Sequence, residues 1–210
     1  MSNLVDITMI SPNSSPRTAK IDTITIHHMA CRATAEACAA SFMPTSRRAS
    51  ANYCIGYDGS VALSVPEERR SWCSNSREND DRAITIEVSN DGGGPDWHVS
   101  DAALEKLVQL CADICRRNGI ERLNFTGDVS GNMTLHKWFT NTTCPGPYLE
   151  SNMPWIAEEV NKRLGAEEAP ALYRVQVGAF RVKSNAEKLR DTLREAGYAD
   201  AFITEEGVAS

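Results

Sequence analysis

Ile21-Asp-Thr-Ile-Thr-Ile-His27-His28 is the stretch on which the fold turns. β-branched apolar residues alternate with polar ones, the two-residue period of a strand with differently lined faces. The strand delivers a pair of histidines at its C-terminal end. Ala83-Ile-Thr-Ile-Glu-Val88 repeats the pattern and places Glu87 near a second strand end. Between the two, Thr34 is set as the N-cap of a short helix over Ala35–Phe42, stopped near Pro44. Ala51–Gly56 and Ser60–Val65 flank Tyr57-Asp58-Gly59, and Asp-Gly between apolar runs predicts a hairpin. Asn90-Asp-Gly-Gly-Gly-Pro95 reads as a flexible loop. Ser100 caps a helix whose apolar positions Leu104, Leu107, Val108, Cys111, Ile114 and Cys115 follow the helical period, and Asn118-Gly119 ends it. A last helix is expected over Pro154–Leu164, with Trp155, Ile156, Val160 and Leu164 on its apolar face. Strands alternating with helices, plus a hairpin, predict an α/β fold: a mixed central sheet flanked by helices.

The 210 residues, 41% of them hydrophobic, supply one substantial core and a small extra module. A net charge of -6 with scattered Lys and Arg offers no basic face for phosphates, so nucleic acid is excluded as a partner. No window has the apolar length of a membrane span. Nothing in the pattern speaks to oligomeric state. Of seven cysteines, Cys111 and Cys115 sit one helical turn apart and are expected to be buried as small apolar side chains. Cys31 and Cys38 are close enough to close a short disulfide loop in an oxidising compartment.

The main body is assigned to residues 1–164, a linker to 165–171 (Gly-Ala-Glu-Glu-Ala-Pro-Ala) and a second module to 172–210. In that module Leu172–Phe180 reads as a strand, Asn185–Ala196 as a helix ending at Gly197, and Ala201–Thr204 as another strand. A β-α-β piece of this length buries too little to stand alone, so it is expected to be incomplete or to depend on the first.

The chemistry-bearing residues concentrate in Thr134-Leu-His136-Lys-Trp-Phe-Thr-Asn-Thr-Thr-Cys144-Pro-Gly-Pro147. A catalytic zinc takes three protein ligands and keeps one position open. His136 and Cys144 supply two, and a histidine ending a core strand supplies a third. Spacing alone also admits a core histidine and a buried thiol. Strand alternation does not choose between His27 and His28.

Thr25-Ile-His27-His28-Met-Ala30, Ser50-Ala-Asn-Tyr53 with Tyr57-Asp-Gly-Ser60, Ile84-Thr-Ile-Glu87, and Thr134-Leu-His136 through Thr143-Cys144-Pro-Gly146 resemble the type-2 N-acetylmuramoyl-L-alanine amidase family. That family is related to amidase-type phage lysozymes and peptidoglycan recognition proteins. The resemblance runs from about Ile21 to Leu164. It implies Zn2+ as cofactor, bound by His27, His136 and Cys144, and hydrolysis of the amide between the N-acetylmuramic acid lactyl group and L-alanine. His28 is then a supporting residue. Ala51 stands where several relatives carry a catalytic tyrosine, and Glu87 matches the version that uses a glutamate. Thr142 stands where others carry lysine and is implied as a donor to the oxyanion. Asn52, Tyr53, Trp72 and Lys137, with Trp97 and Trp138, are candidates for lining a substrate groove. The alternatives are a recognition module that binds peptidoglycan without cutting it, and a zinc deacetylase or peptidase on another fold.

Tyr173-Arg-Val-Gln-Val-Gly-Ala-Phe180, Asn185-Ala-Glu-Lys-Leu and Ala196-Gly-Tyr resemble the start of a SPOR domain, a family that binds glycan strands stripped of stem peptides. The resemblance covers about the first half of such a domain. Together the two resemblances imply bacterial peptidoglycan as the partner and the cell wall as the place of action. Met1-Ser-Asn-Leu-Val-Asp shows neither a basic n-region nor an apolar h-region. The expectation is therefore a phage endolysin or a protein exported by a non-classical route.

Overall fold

The computed structural model describes residues 1–165 and 176–204. The chain divides into two compact units, Met1–Glu167 and Glu168–Ser210.

The first unit opens with β1 (Ile7–Thr8), β2 (Ser14–Pro16), β3 (Thr23–His28) and α1 (Ala35–Ser41). Next come β4 (Tyr53–Ile55), β5 (Val61–Leu63), β6 (Arg69–Ser71), α2 (Arg77–Arg82) and β7 (Ala83–Val88). The unit closes with α3 (Asp101–Asn118), β8 (Met133–Leu135) and α4 (Pro147–Gly165). Six strands form one sheet in the order β1-β5-β4-β7-β3-β8, and β2 pairs with β6 beside it. Every neighbour in the large sheet is parallel except the predicted hairpin β4–β5. At its turn Gly59 sits at φ +81°, a conformation that favours glycine.

The alternation read in β3 and β7 separates two faces. Ile24, Ile26, Tyr53, Ile55, Ile84, Ile86, Met133 and Leu135 join Leu107, Ile114, Leu149, Ile156 and others in the main core under α3 and α4. The opposite face is lined by small and polar groups. Cys54 and Ala62 pack there against Ala35, Cys38 and Ala39 of α1. Thr25 and Thr134 hydroxyls meet at 2.8 Å across β3–β8, and Asn79 Nδ2 donates to Thr25 Oγ1 at 2.9 Å. Thr25, Thr134 and Asn79, buried on this face, are thus paired.

The helix caps follow the sequence. Thr34 Oγ1 accepts from Ala37 N at 3.1 Å and Ser100 Oγ from Ala103 N at 3.2 Å, while Gly119 closes α3 in the left-handed conformation. Cys111 and Cys115 are buried on α3. All seven cysteines are free thiols, so the Cys31–Cys38 bridge is not formed; Cys31 is exposed and Cys38 buried.

The last helix of this unit is longer than expected. It starts at Pro147, which needs no amide hydrogen there, and carries Pro154 in its interior. Pro154 and Trp155 face outward, Trp155 being 42% exposed, whereas Ile156, Val160 and Leu164 lie on the apolar face as expected, joined by Leu149, Met153 and Ala157. None of the described helices is long and apolar enough to cross a membrane.

Sequence patterning gave no element to the N-terminal segment, yet Arg17 ties it down. Its guanidinium donates to the carbonyls of Glu67, Asp80, Asp81, Arg69 and Ala83 at 2.7–3.2 Å.

In the second unit α5 (Lys183–Glu195) forms where a helix was expected, and Gly197 follows at φ +101°. The strand expected over 172–180 lies partly outside the described residues. Residues 176–180 and 201–204 are not in strands.

Candidate metal centre

Three backbone elements bring His27, His136 and Cys144 together. His27 is the last residue but one of β3 and its Cα partner on β7 is Glu87, so both side chains project to the small, polar face. His136 begins a single 3-10 turn, His136–Trp138, directly after β8. The His27 and His136 rings approach to 4.7 Å between centroids. Cys144 returns to the same place because Lys137 N donates to its carbonyl at 3.1 Å, closing the loop between the near ligands. Trp138 packs against the main core, stacked on Phe125 at 5.7 Å between centroids. The chain then leaves through Gly146 at φ +83°, where an added Cβ would meet the His28 ring at 3.1 Å.

One donor atom from each of His27, His136 and Cys144 lies within 4.8 Å of the others. Cys144 Sγ is 3.6 Å from His27 Nδ1. A tetrahedral zinc with Zn–S about 2.3 Å and Zn–N about 2.0–2.1 Å separates its sulfur and nitrogen ligands by about 3.6 Å. His28 N donates to Cys144 Sγ at 3.4 Å, a contact that suits a sulfur carrying negative charge.

Electrostatics favours the same reading. Burial, then the neighbouring His136 and His28, holds the His27 ring well below the ordinary imidazole value; burial lowers His136 too. Both rings are therefore neutral, as ligands must be. Burial and then Glu87 push the Cys144 thiol up. A thiolate here needs a cation, and the donor set of two imidazoles and one sulfur suits zinc. The residues present fit the metal.

Glu87 is half-buried, with Oε2 shielded and without a hydrogen-bond partner. One of its oxygens lies within 4.8 Å of a His27 ring nitrogen. Burial pushes its carboxyl up to about 8. Thr142 is partly exposed, and its Oγ1 accepts from Cys144 N at 3.2 Å.

The remaining groove candidates separate from this centre. Tyr53 projects into the main core, fully buried, its hydroxyl bonded to Glu67 Oε1 and Ser2 N. Asn52 is also fully buried, with Nδ2 donating to Val65 O and Oδ1 accepting from Thr85 N. Neither lines an open groove, because strand alternation and backbone pairing consume them. Trp72 is partly buried and donates from Nε1 to Ser15 Oγ at 2.7 Å. Lys137 is exposed and paired with Glu150 at 2.9 Å. Trp97 meets His28 edge-on at 5.5 Å. Cys73, which no sequence motif marked, lies beside Glu87, Sγ to Oε1 at 3.9 Å.

Residues 17–147 match the family model for N-acetylmuramoyl-L-alanine amidase, and residues 169–209 match that of the SPOR domain. No curated protein matches the chain. Among solved structures, the PlyG catalytic domain is similar at 18% identity and a TM-score of 0.61, over 79% of this chain and 98% of that one. A mutant endolysin from Bacillus subtilis is 18% identical with a TM-score of 0.59, over 74% and 99%. The Staphylococcus aureus hydrolase AmiA is 15% identical with a TM-score of 0.59, over 75% and 82%. At these identities the likeness is one of fold, and the mixed sheet with its flanking helices is that shared fold. The family match spans β3, β7, His136 and Cys144 alike: the chain belongs to the N-acetylmuramoyl-L-alanine amidase family.

Proposed function

We propose that this chain hydrolyses the amide bond between the lactyl group of N-acetylmuramic acid and L-alanine in bacterial peptidoglycan, with zinc held by His27, His136 and Cys144. The observation that carries the reading is the convergence of two neutral imidazoles and a thiol within 4.8 Å, with a carboxylate oxygen of Glu87 beside His27. A recognition module that only bound peptidoglycan would have no use for that carboxylate.

Zinc, when bound, would supply Lewis acidity that polarises the amide carbonyl and lowers the pKa of a water toward about 7. The protein's part is to hold the ligands and move the proton. Glu87 takes the proton from the attacking water on its unpartnered oxygen and delivers it to the departing amine of L-alanine. A carboxyl raised to about 8 by burial is suited to hold that proton between the two transfers. The Thr142 hydroxyl, its oxygen already fixed by Cys144 N, turns its hydrogen toward the oxyanion of the tetrahedral intermediate.

The SPOR-matching segment supports a second contact with the same polymer. Tethering the catalyst to glycan raises the effective concentration of cleavable bonds without changing any contact at the metal centre. This reading places the protein's action at the bacterial cell wall.

Digestion of purified peptidoglycan, with the products resolved by mass spectrometry, tests the assignment. Release of stem peptides beginning with L-alanine, abolished by a chelator and restored by zinc, is the expected result. Muropeptides cut in the glycan or within the peptide would overturn it.

A further inference from the structure

The described residues contain a second convergence of metal-binding donors: His27, Cys73 and Glu87, again with one atom from each within 4.8 Å of the others. Cys73 has no part in the mechanism above. It follows β6 at the start of an irregular stretch leading to α2, and that stretch is held firmly. The Asp80 carboxylate accepts from Cys73 N at 3.0 Å, Ser74 N at 3.1 Å and Ser74 Oγ at 2.6 Å. The adjoining Asn79 is bonded to Thr25 of β3. Cys73 is therefore fixed relative to the strands that carry His27 and Glu87.

Two atoms of this group are left without partners inside the protein. His27 is wholly buried and its Nε2 has no hydrogen bond; Glu87 Oε2 is shielded and equally alone. The Cys73 thiol reaches Glu87 Oε1 only at 3.9 Å, the outer limit for a sulfur donor. Buried polar groups are ordinarily paired, and unpaired ones beside a thiol mark a place for a cation. The donors are one sulfur, one imidazole and one carboxylate, which suit zinc and softer divalent ions. Cys73 and Glu87 retain partial exposure, giving an ion a way in.

We propose that His27, Cys73 and Glu87 form a second, unproductive seat for a borderline or soft divalent cation such as Zn2+. On binding, the Cys73 S–H bond is broken and His27, whose other nitrogen belongs to the first trio, gives up its remaining N–H proton; sulfur and nitrogen become metal ligands and both protons pass to solvent. The Glu87 carboxylate is engaged by the same ion and is withdrawn from proton transfer, so excess zinc inhibits. The seat itself needs only the three donors; its inhibitory effect rests on the role given to Glu87 above.

Cobalt(II) titration of the full chain tests the proposal, read by the thiolate-to-cobalt charge-transfer band and by metal content after dialysis. In Cys144→Ser, which removes the sulfur of the first trio, the band persists. Adding Cys73→Ser abolishes it, although all other cysteines remain. Absence of the band in folded Cys144→Ser, or its survival after Cys73→Ser, would overturn the second seat. Should Cys144→Ser not fold, Cys73→Ser alone is compared with the unmodified chain at rising zinc. Relief of inhibition together with lower metal content supports the seat, and unchanged curves overturn it. Inactivity of the unmodified chain at one equivalent of zinc would count against the proposed hydrolysis and leave the metal-binding result standing.

Discussion

Sγ of Cys144 stands 3.6 Å from Nδ1 of His27, although 117 positions separate the two residues in the chain. The first is delivered by the loop after β8 and the second by the end of β3. Because β8 pairs with β3 in parallel, both arrive at the same end of the sheet. Removing a donor of the His27, His136 and Cys144 trio should therefore abolish binding at that centre rather than weaken it slightly. Cys144→Ala and His136→Ala are expected to lower zinc affinity by more than about 100-fold, beyond the 10–100-fold typical of losing a supporting contact. His28→Gln should keep one equivalent. Metal content after dialysis against a weak chelator distinguishes these outcomes.

Glu87 has a separate signature. Glu87→Gln preserves the shape of the side chain and leaves the three ligands of the proposed zinc in place. It should bind zinc at one equivalent while turnover of peptidoglycan falls by about 10²–10⁴-fold, the usual scale of a lost general acid–base. Turnover near that of the unmodified chain would remove Glu87 from the mechanism.

The same carboxyl links stability to pH in metal-free protein. Burial raises it from an ordinary value of 4.5 to about 8, so the folded state favours the protonated form. Its contribution to stability is full below about pH 4.5 and is lost as pH rises through about 8. Denaturant unfolding of the metal-free chain at pH 5 and pH 9 should show that loss, and Glu87→Gln should lessen it. Parallel pH dependence in the two proteins would contradict the assigned burial effect.

Arg17 is predicted to matter as much as a core residue. Arg17→Ala leaves several backbone carbonyls without their donor and should cost about 3 kcal/mol, since each buried unsatisfied group carries about 1–3 kcal/mol. Arg17→Lys should recover little, because an ammonium cannot reproduce the planar fork. Urea midpoints at constant m-value provide the measurement.

How far the sequence reaches is clearest in β3 and β7. Six-residue strands with strict alternation announce themselves, and α3 does so through its period and its two caps. β1, β2 and β6 run two or three residues each, too short to display a period. The start of α4 was hidden because Pro147 and Pro154 both suit a first helical turn, and only packing shows that Pro154 lies inside. His27 and His28 were equivalent to pattern reading; pairing with β7 sets His27 beside Glu87. Tyr53 and Asn52 looked like groove residues because they adjoin the hairpin, yet the pleat turns one into the core and backbone carbonyls hold the other. Cys73 carried no signal at all, since its position depends on Asp80 and on no local repeat.

The two faces of β3 have a consequence for how this protein can be altered. Ile24 and Ile26 answer to the core, while Thr25 and His27, their immediate neighbours, answer to the polar network and the metal centre. Moving the strand by a single residue would exchange the two sets, putting a histidine among isoleucines and an isoleucine among the ligands. Catalytic competence is thus encoded as much in strand register as in the identity of any ligand. A library that varies only the inward isoleucines can tune thermal resistance while leaving the chemistry untouched, and a one-residue insertion before Thr23 would cost both at once.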